Sequence, residues 1–193
     1  MAKRESSFIN MVVTLLTVTA VAAVALGGVY NLTKEPIEAS KKAKLQKAIA
    51  QVLPPFSEIA EKEVMPAEGK DPLVFYEASQ DGEVVGTAIK TYTDQGFSGR
   101  IVIMAGFLKD GTIFNTAVLE HKETPGLGDK MDISKSEWCL QFKDKNPAAF
   151  NIKVTKDGGE VDAITAATIS SRAFSDALDR AYQTLKKEGG ITP

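Results

Sequence analysis

The run Ile101-Val102-Ile103-Met104-Ala105-Gly106-Phe107-Leu108, then Lys109-Asp110-Gly111, then Thr112-Ile113-Phe114-Asn115-Thr116-Ala117-Val118-Leu119-Glu120 decides the fold class. Two segments rich in β-branched and aromatic residues flank a polar turn whose glycine can take positive φ, the pattern of a β-hairpin. The arrangement recurs upstream, where Leu73 to Ala78 and Val84 to Tyr92 flank Gln80-Asp81-Gly82. Four strands joined by tight turns predict an antiparallel sheet.

Around those strands the apolar period changes. Lys34 to Leu53 reads as a helix, with Ile37, Leu45, Ala48, Ile49 and Val52 on one stripe and lysines opposite. Pro54-Pro55 ends it, since neither residue has an N–H to donate. Residues 57–71 are charged and punctuated by proline and glycine, and so read as a surface connection. A further helix is expected from Ser134 to Lys143, and a short strand from Asn151 to Val154 before the Asp157-Gly158-Gly159 turn. A long last helix is expected from Thr165 or Ala166 to Glu188. Ala173, Phe174, Ala177, Leu178, Ala181 and Leu185 line one side of it, and Gly189-Gly190 stop it. The expected fold is α+β: one domain with an antiparallel sheet and flanking helices over residues 72–193, on a stalk helix and connection over 34–71.

The N-terminal part has another character. From Phe8 to Thr33 there is no charged residue, and Met11 to Tyr30 is almost wholly apolar. About 20 such residues cross a hydrocarbon layer of roughly 30 Å. Residues 1–33 are therefore expected to be a terminus and transmembrane anchor, with lipid against residues 8–30. A cleaved signal peptide is the competing reading, because Lys3 and Arg4 form a basic start and Ala22, Ala23 and Ala25 are small. Its apolar stretch usually spans only about 7–15 residues, which favours the retained anchor. Flanking charge does not settle orientation: Lys34, Lys41, Lys42, Lys44 and Lys47 follow the span as closely as Lys3 and Arg4 precede it.

Bulk composition excludes several function classes. The 193 residues are 44% hydrophobic and 25% charged with a net charge of -2, which fits one globular domain and an appendage. No basic stripe or high pI points to nucleic acid. Cys139 is the only cysteine and His121 the only histidine, so neither an internal disulfide nor a structural zinc site is expected. Cys139 reads as a small buried hydrophobe and His121 as a structural residue. There is no Gly-x-Ser-x-Gly elbow, no P-loop and no dinucleotide fingerprint.

Two segments carry candidate chemistry. In Val161-Asp162-Ala163-Ile164-Thr165-Ala166-Ala167-Thr168-Ile169-Ser170-Ser171-Arg172, hydroxyls and small residues gather where a helix begins. A helix start presents unpaired N–H groups and partial positive charge, a seat for phosphate. Thr168, Ser170 and Ser171 can add hydroxyls, and Arg172 a charge if it turns that way. The residues alone equally allow Asp162 or Thr165 to be a plain N-cap. In Leu119-Glu120-His121-Lys122-Glu123-Thr124-Pro125-Gly126-Leu127-Gly128, two glycines around one leucine make a loop able to lay a flat wall against an aromatic ligand, or a plain connection.

These segments, with Gly96-Phe97-Ser98-Gly99 and behind one span, resemble the FMN-binding subunits of ion-translocating electron-transport complexes. The likeness is greatest to the G subunit of the Rnf complex; the C subunit of the sodium-pumping NADH:quinone reductase is the alternative. The resemblance implies an FMN-binding domain over 72–193, with FMN esterified through its phosphate to Thr168. It assigns Asp162 and Thr165 to the attachment motif, where the small side chains of Ala166 and Ala167 let a phosphate approach the backbone and Ser170 and Ser171 can add hydroxyl donors. Thr124, Gly126, Leu127 and Gly128 would border the flavin. The family usually has glycine at the position of Ala166. Further implications are a redox subunit of a ferredoxin:NAD oxidoreductase complex without turnover of its own, partner subunits, and a flavin transferase that loads FMN from FAD. The family is anchored in the bacterial inner membrane with the FMN domain outside the cytoplasm. A membrane-tethered interaction module without flavin, and an independent extracytoplasmic reductase, are the other readings.

Overall fold

The structure, a computed structural model, describes residues 7–191, and the chain falls into two units, residues 1–43 and 44–193. Helix α1 spans Phe8–Val52 and so runs through both. The expected anchor and stalk are therefore one helix, with Pro36 inside it. A proline there forfeits one backbone hydrogen bond without ending the helix, because good helix formers surround it. The basic start at Lys3 and Arg4 lies outside the described residues.

In the first unit every described residue is exposed. Thr14, Thr17 and Thr19 donate their hydroxyls to the carbonyls of Asn10, Val13 and Leu15 at 2.7–2.8 Å. Polar groups satisfied within the helix are what a lipid environment demands. This is the one helix among the described residues long and apolar enough to cross a membrane.

The second unit is built on a five-stranded antiparallel meander in the order β1-β2-β3-β4-β5: Glu58–Val64, Leu73–Gln80, Glu83–Gly96, Gly99–Phe107 and Ile113–Glu120. The two expected hairpins form, with Phe75 opposite Ile89 and Met104 opposite Ala117. Strand β1 lies where a connection was expected. Its sequence alternates charge with little β-branching, and as an edge strand paired only to β2 it buries just Val64.

Each face of the sheet is covered. Ala48, Ile49, Val52 and Leu53 at the end of α1 pack on Tyr76, Ala78, Ala88, Met104 and Leu119. The approach is close enough that a Cβ on Gly106 would lie 1.7 Å from the Val52 carbonyl oxygen. Ile37, placed on the same stripe by periodicity, is exposed. The other face receives helix α2, Thr168–Lys187, whose Ala173, Phe174, Ala177, Leu178, Ala181 and Leu185 are buried as the periodicity predicted. Thr91 of β3 donates its hydroxyl to the Ala177 carbonyl at 2.9 Å, fixing the helix on the strand.

Between β5 and α2 the chain is less regular than expected. In place of a helix over Ser134–Lys143 there is a 3-10 segment, Glu137–Phe142, begun by Ser136, whose hydroxyl accepts from the Trp138 N–H. It seats Trp138 and Phe142 against Phe174, with ring centroids 5.2–5.4 Å apart. Cys139 is buried there, and burial pushes its thiol up to about 11. The expected strand Asn151–Val154 amounts to a single bridge between Val154 and Val161.

Candidate functional site

The last helix begins two or three residues later than expected, and this changes what its start can do. Thr168 is its first residue, and Ala167 stands at the cap position with φ -135° and ψ 43°. Those angles lie outside the extended conformation in which a side chain reaches back to the helix, and alanine has nothing to reach with. Neither Asp162 nor Thr165 supplies a cap. Among the described residues, the N–H groups of Thr168, Ile169 and Ser170 have no acceptor; the first helical bond is from the Ser171 N–H to the Ala167 carbonyl at 3.0 Å. Three unpaired donors and the positive end of a 20-residue dipole thus share the first turn with the Thr168 hydroxyl.

The preceding turn holds that start open. Ala166 takes φ 62°, the left-handed conformation that favours glycine. Ser171, buried, accepts from the Ile164 N–H at 2.9 Å and donates to the Ala167 carbonyl at 3.0 Å. It therefore straps the 164–167 turn to the helix. Asp162 is exposed and fixed by its backbone: its N–H donates to Gln141 at 2.8 Å, and its carbonyl accepts from the Trp138 indole at 2.5 Å.

A cleft of about 320 Å³ opens on this helix start, lined by Phe97, Glu123, Thr124, Leu127, Gly128 and residues 166–170. Thr124, Leu127, Gly128, Ala166, Ala167, Thr168 and Ser170 of the predicted set thus line one cleft. Gly126, Asp162, Thr165 and Ser171 lie outside its lining; Gly126, at φ 79°, turns the loop that presents Leu127. Phe97, Leu127 and Ile169 keep 68%, 40% and 47% of their surface exposed, three large apolar side chains left to solvent around one opening.

Glu123, not singled out from the sequence, ties the three segments together. Its carboxylate is buried and accepts from the Ser98 N–H at 2.9 Å and from the Ser170 hydroxyl at 2.5 Å. A Cβ on Gly128 would lie 2.5 Å from Ser170 Oγ and 2.7 Å from Glu123 Oε2, so only glycine leaves room for this junction. His121 serves the same loop, its Nδ1 accepting from the Glu123 N–H at 3.1 Å.

Two cations approach the helix start. Arg172 does not face the cleft; its guanidinium makes two 2.7 Å bonds to Asp157 and holds that carboxyl below the usual carboxylate range. Lys156 instead donates from Nζ to Thr168 Oγ1 at 3.5 Å. A larger groove of about 590 Å³, lined by residues 147–154 and polar residues of α2, shares no residue with the first. Among the described residues no cluster of His, Cys, Asp and Glu is arranged to hold a metal.

The family described as the FMN-binding domain matches residues 96–183, which include all three segments of the cleft. Over nearly its full length the chain is similar to proteins named as the G subunit of the ion-translocating oxidoreductase complex. It is 36% identical to that of Vibrio atlanticus, over 88% of this chain and 86% of the other. It is 37% identical to that of Aliivibrio fischeri, over 90% of each. With that of Shewanella amazonensis it shares 37%, over 82% and 78%. An N-terminal apolar helix, an antiparallel sheet closed by one long helix, and that breadth of identity lead to one conclusion: the chain belongs to the G-subunit family of ion-translocating oxidoreductase complexes.

Proposed function

We propose that this chain carries one FMN as a phosphoester on Thr168 Oγ1 and works as the electron-transfer subunit of a membrane-bound, ion-translocating ferredoxin:NAD oxidoreductase. The observation that carries the covalent reading is the uncapped start of α2. Three unpaired N–H groups lie in the same first turn as the Thr168 hydroxyl, and a phosphate there supplies the acceptors that no side chain supplies. The cleft fits the rest of the group: a phosphate seat at one end, and Phe97, Leu127 and Ile169 as apolar surface for a flat ring system.

FMN, when bound, supplies the redox chemistry, taking up and releasing electrons. The chain's residues supply attachment, orientation and exposure. The Thr168 hydroxyl attacks the riboflavin-side phosphorus of FAD; the P–O–P bond breaks, and AMP leaves with the proton, under a flavin transferase. Asp162 and Thr165, exposed beside the helix start, suit recognition by that transferase better than contact with the flavin. Glu123 and Ser171 hold the loops and the turn in place. A covalent link makes deep enclosure unnecessary, and the exposed rim leaves a ring edge open to neighbouring subunits.

Residues 8–30 of α1 anchor the chain in the bacterial plasma membrane, and the domain over 72–193 faces the extracytoplasmic side, where a diffusible cofactor would be lost. The test is intact-mass measurement and peptide mapping of the full chain made alongside a flavin transferase. The FMN mass is expected on the peptide holding Thr168, and Thr168→Ala is expected to abolish it with the melting temperature unchanged. The melting temperature left unchanged is that of unloaded wild type, the form Thr168→Ala is compared with. An adduct that persists in Thr168→Ala removes Thr168 as the attachment point.

A further inference from the structure

The geometry points to Lys156, not Arg172, as the cation that neutralises the phosphoryl group at Thr168. This rests on the covalent reading above and adds a residue to it.

Lys156 Nζ already stands 3.5 Å from Thr168 Oγ1, the atom that would form the ester. An ester phosphorus is one bond from that atom and its non-bridging oxygens two, within the reach of an ammonium that already stands beside the hydroxyl on a flexible stem. Arg172, nearer in sequence, is committed elsewhere by its paired bonds to Asp157. Among the described residues Lys156 makes no ion pair, and its one hydrogen bond is to this hydroxyl. The two assignments come from adjacent residues of a single turn. Asp157 faces Arg172 and Lys156 faces Thr168, so the turn sorts the local charges before any phosphate arrives.

The turn is fixed rather than free. The Thr155 N–H donates to the Val161 carbonyl at 2.8 Å, and the Asp157 and Gly159 N–H groups both donate to the Val154 carbonyl at 2.8 and 3.1 Å. Gly158 is left-handed at φ 79°, and a Cβ on Gly159 would lie 1.9 Å from the Lys153 carbonyl oxygen. Lysine suits the role: a compact point charge on a flexible stem follows a phosphate through the change from FAD to ester, while the helix N–H groups fix its orientation. During transfer the ammonium stabilises charge gathering on the phosphoryl oxygens as the Oγ–P bond forms and AMP departs. Afterwards it pairs with the single negative charge of the diester.

The experiment uses the full chain in detergent with FAD and a limiting flavin transferase, following FMN mass with time for wild type, Lys156→Gln and Lys156→Arg. Loading of Lys156→Gln is expected to slow about fivefold, the size an exposed ion pair gives at its stronger end. Lys156→Arg should recover most of the rate. The gap between wild type and Lys156→Gln should close in about 1 M salt, where the screening length falls to about 3 Å. A second readout uses no turnover: the melting temperature of each fully loaded protein minus that of its unloaded form. That difference should be about 2 °C smaller in Lys156→Gln. If wild type loads at Thr168 while Lys156→Gln matches it in rate, salt response and melting difference, Lys156 has no such role and the covalent reading stands. If wild type itself takes no FMN at Thr168, both readings fall.

Discussion

At the scale of single residues, Ala166, where the resemblance leads one to expect glycine, is one of three non-glycine residues at positive φ, with Asp81 and Asp144. Ala166 holds φ 62° in the turn before α2. For an L-residue the left-handed conformation costs about 1–2 kcal/mol. Glycine removes that cost but gives back about 0.4–1 kcal/mol through the greater freedom of the unfolded chain. Ala166→Gly is therefore expected to stabilise the unloaded protein by about 0.5–1 kcal/mol, read as a higher denaturant midpoint with the slope unchanged. A lower midpoint would mean the turn is not strained in solution. The sequence showed the small residues and hydroxyls of this motif, and from them a phosphate seat could be read. It left the plain N-cap open, because a cap depends on the first helical residue, and boundaries are the least legible feature of a helix. Glu123 and Lys156 went unread for a different reason. Each acts on residues 47 and 12 positions away, and a carboxylate or an ammonium in a loop carries no local sign of its distant partner.

At the scale of elements, legibility followed burial. Both central hairpins and the apolar stripe of α2 were readable because one face of each meets the core, which imposes a strict period on the sequence. Strand β1 has one buried residue and so no period to read. The Glu137–Phe142 segment showed helical spacing, since Trp138 and Phe142 are four apart, but is shaped by what those rings must touch. Both pack on Phe174, which is fully buried and is the aromatic contact between the Glu137–Phe142 segment and α2. Phe174→Ala is expected to cost about 3–5 kcal/mol, by lost transfer energy and the cavity left behind. Because Trp138 lies edge-on to that ring and its indole N–H holds the Asp162 carbonyl, tryptophan emission should shift red at temperatures where the chain is still folded. A stability loss under about 1 kcal/mol with unchanged emission would show that α2 is held by the sheet alone.

At the scale of the whole molecule, the chain divides between a part that carries no core and a part that carries all of it. No described residue before Lys44 is buried, and both core clusters draw on residues from Leu45 onward. The apolar residues of the first unit are thus exposed without any folding role, and a lipid bilayer is the medium in which such a helix is stable. Retained by the membrane, the domain needs no high affinity for membrane-bound partner subunits to stay beside them, since tethering supplies a high effective concentration. The division makes a separable prediction. A chain lacking residues 1–33 keeps Lys34 to Val52 and the entire core, so it should be water-soluble without detergent. Its melting temperature should match that of the full chain in detergent to within about 2 °C, which for a domain this size corresponds to less than about 1 kcal/mol. It should also take FMN at Thr168 when incubated with FAD and a flavin transferase. If the shortened chain melts far lower, residues before Lys34 contribute to folding and the anchor is not a pure tether. If it folds equally well yet takes no flavin, the membrane helix takes part in presenting the motif to the transferase.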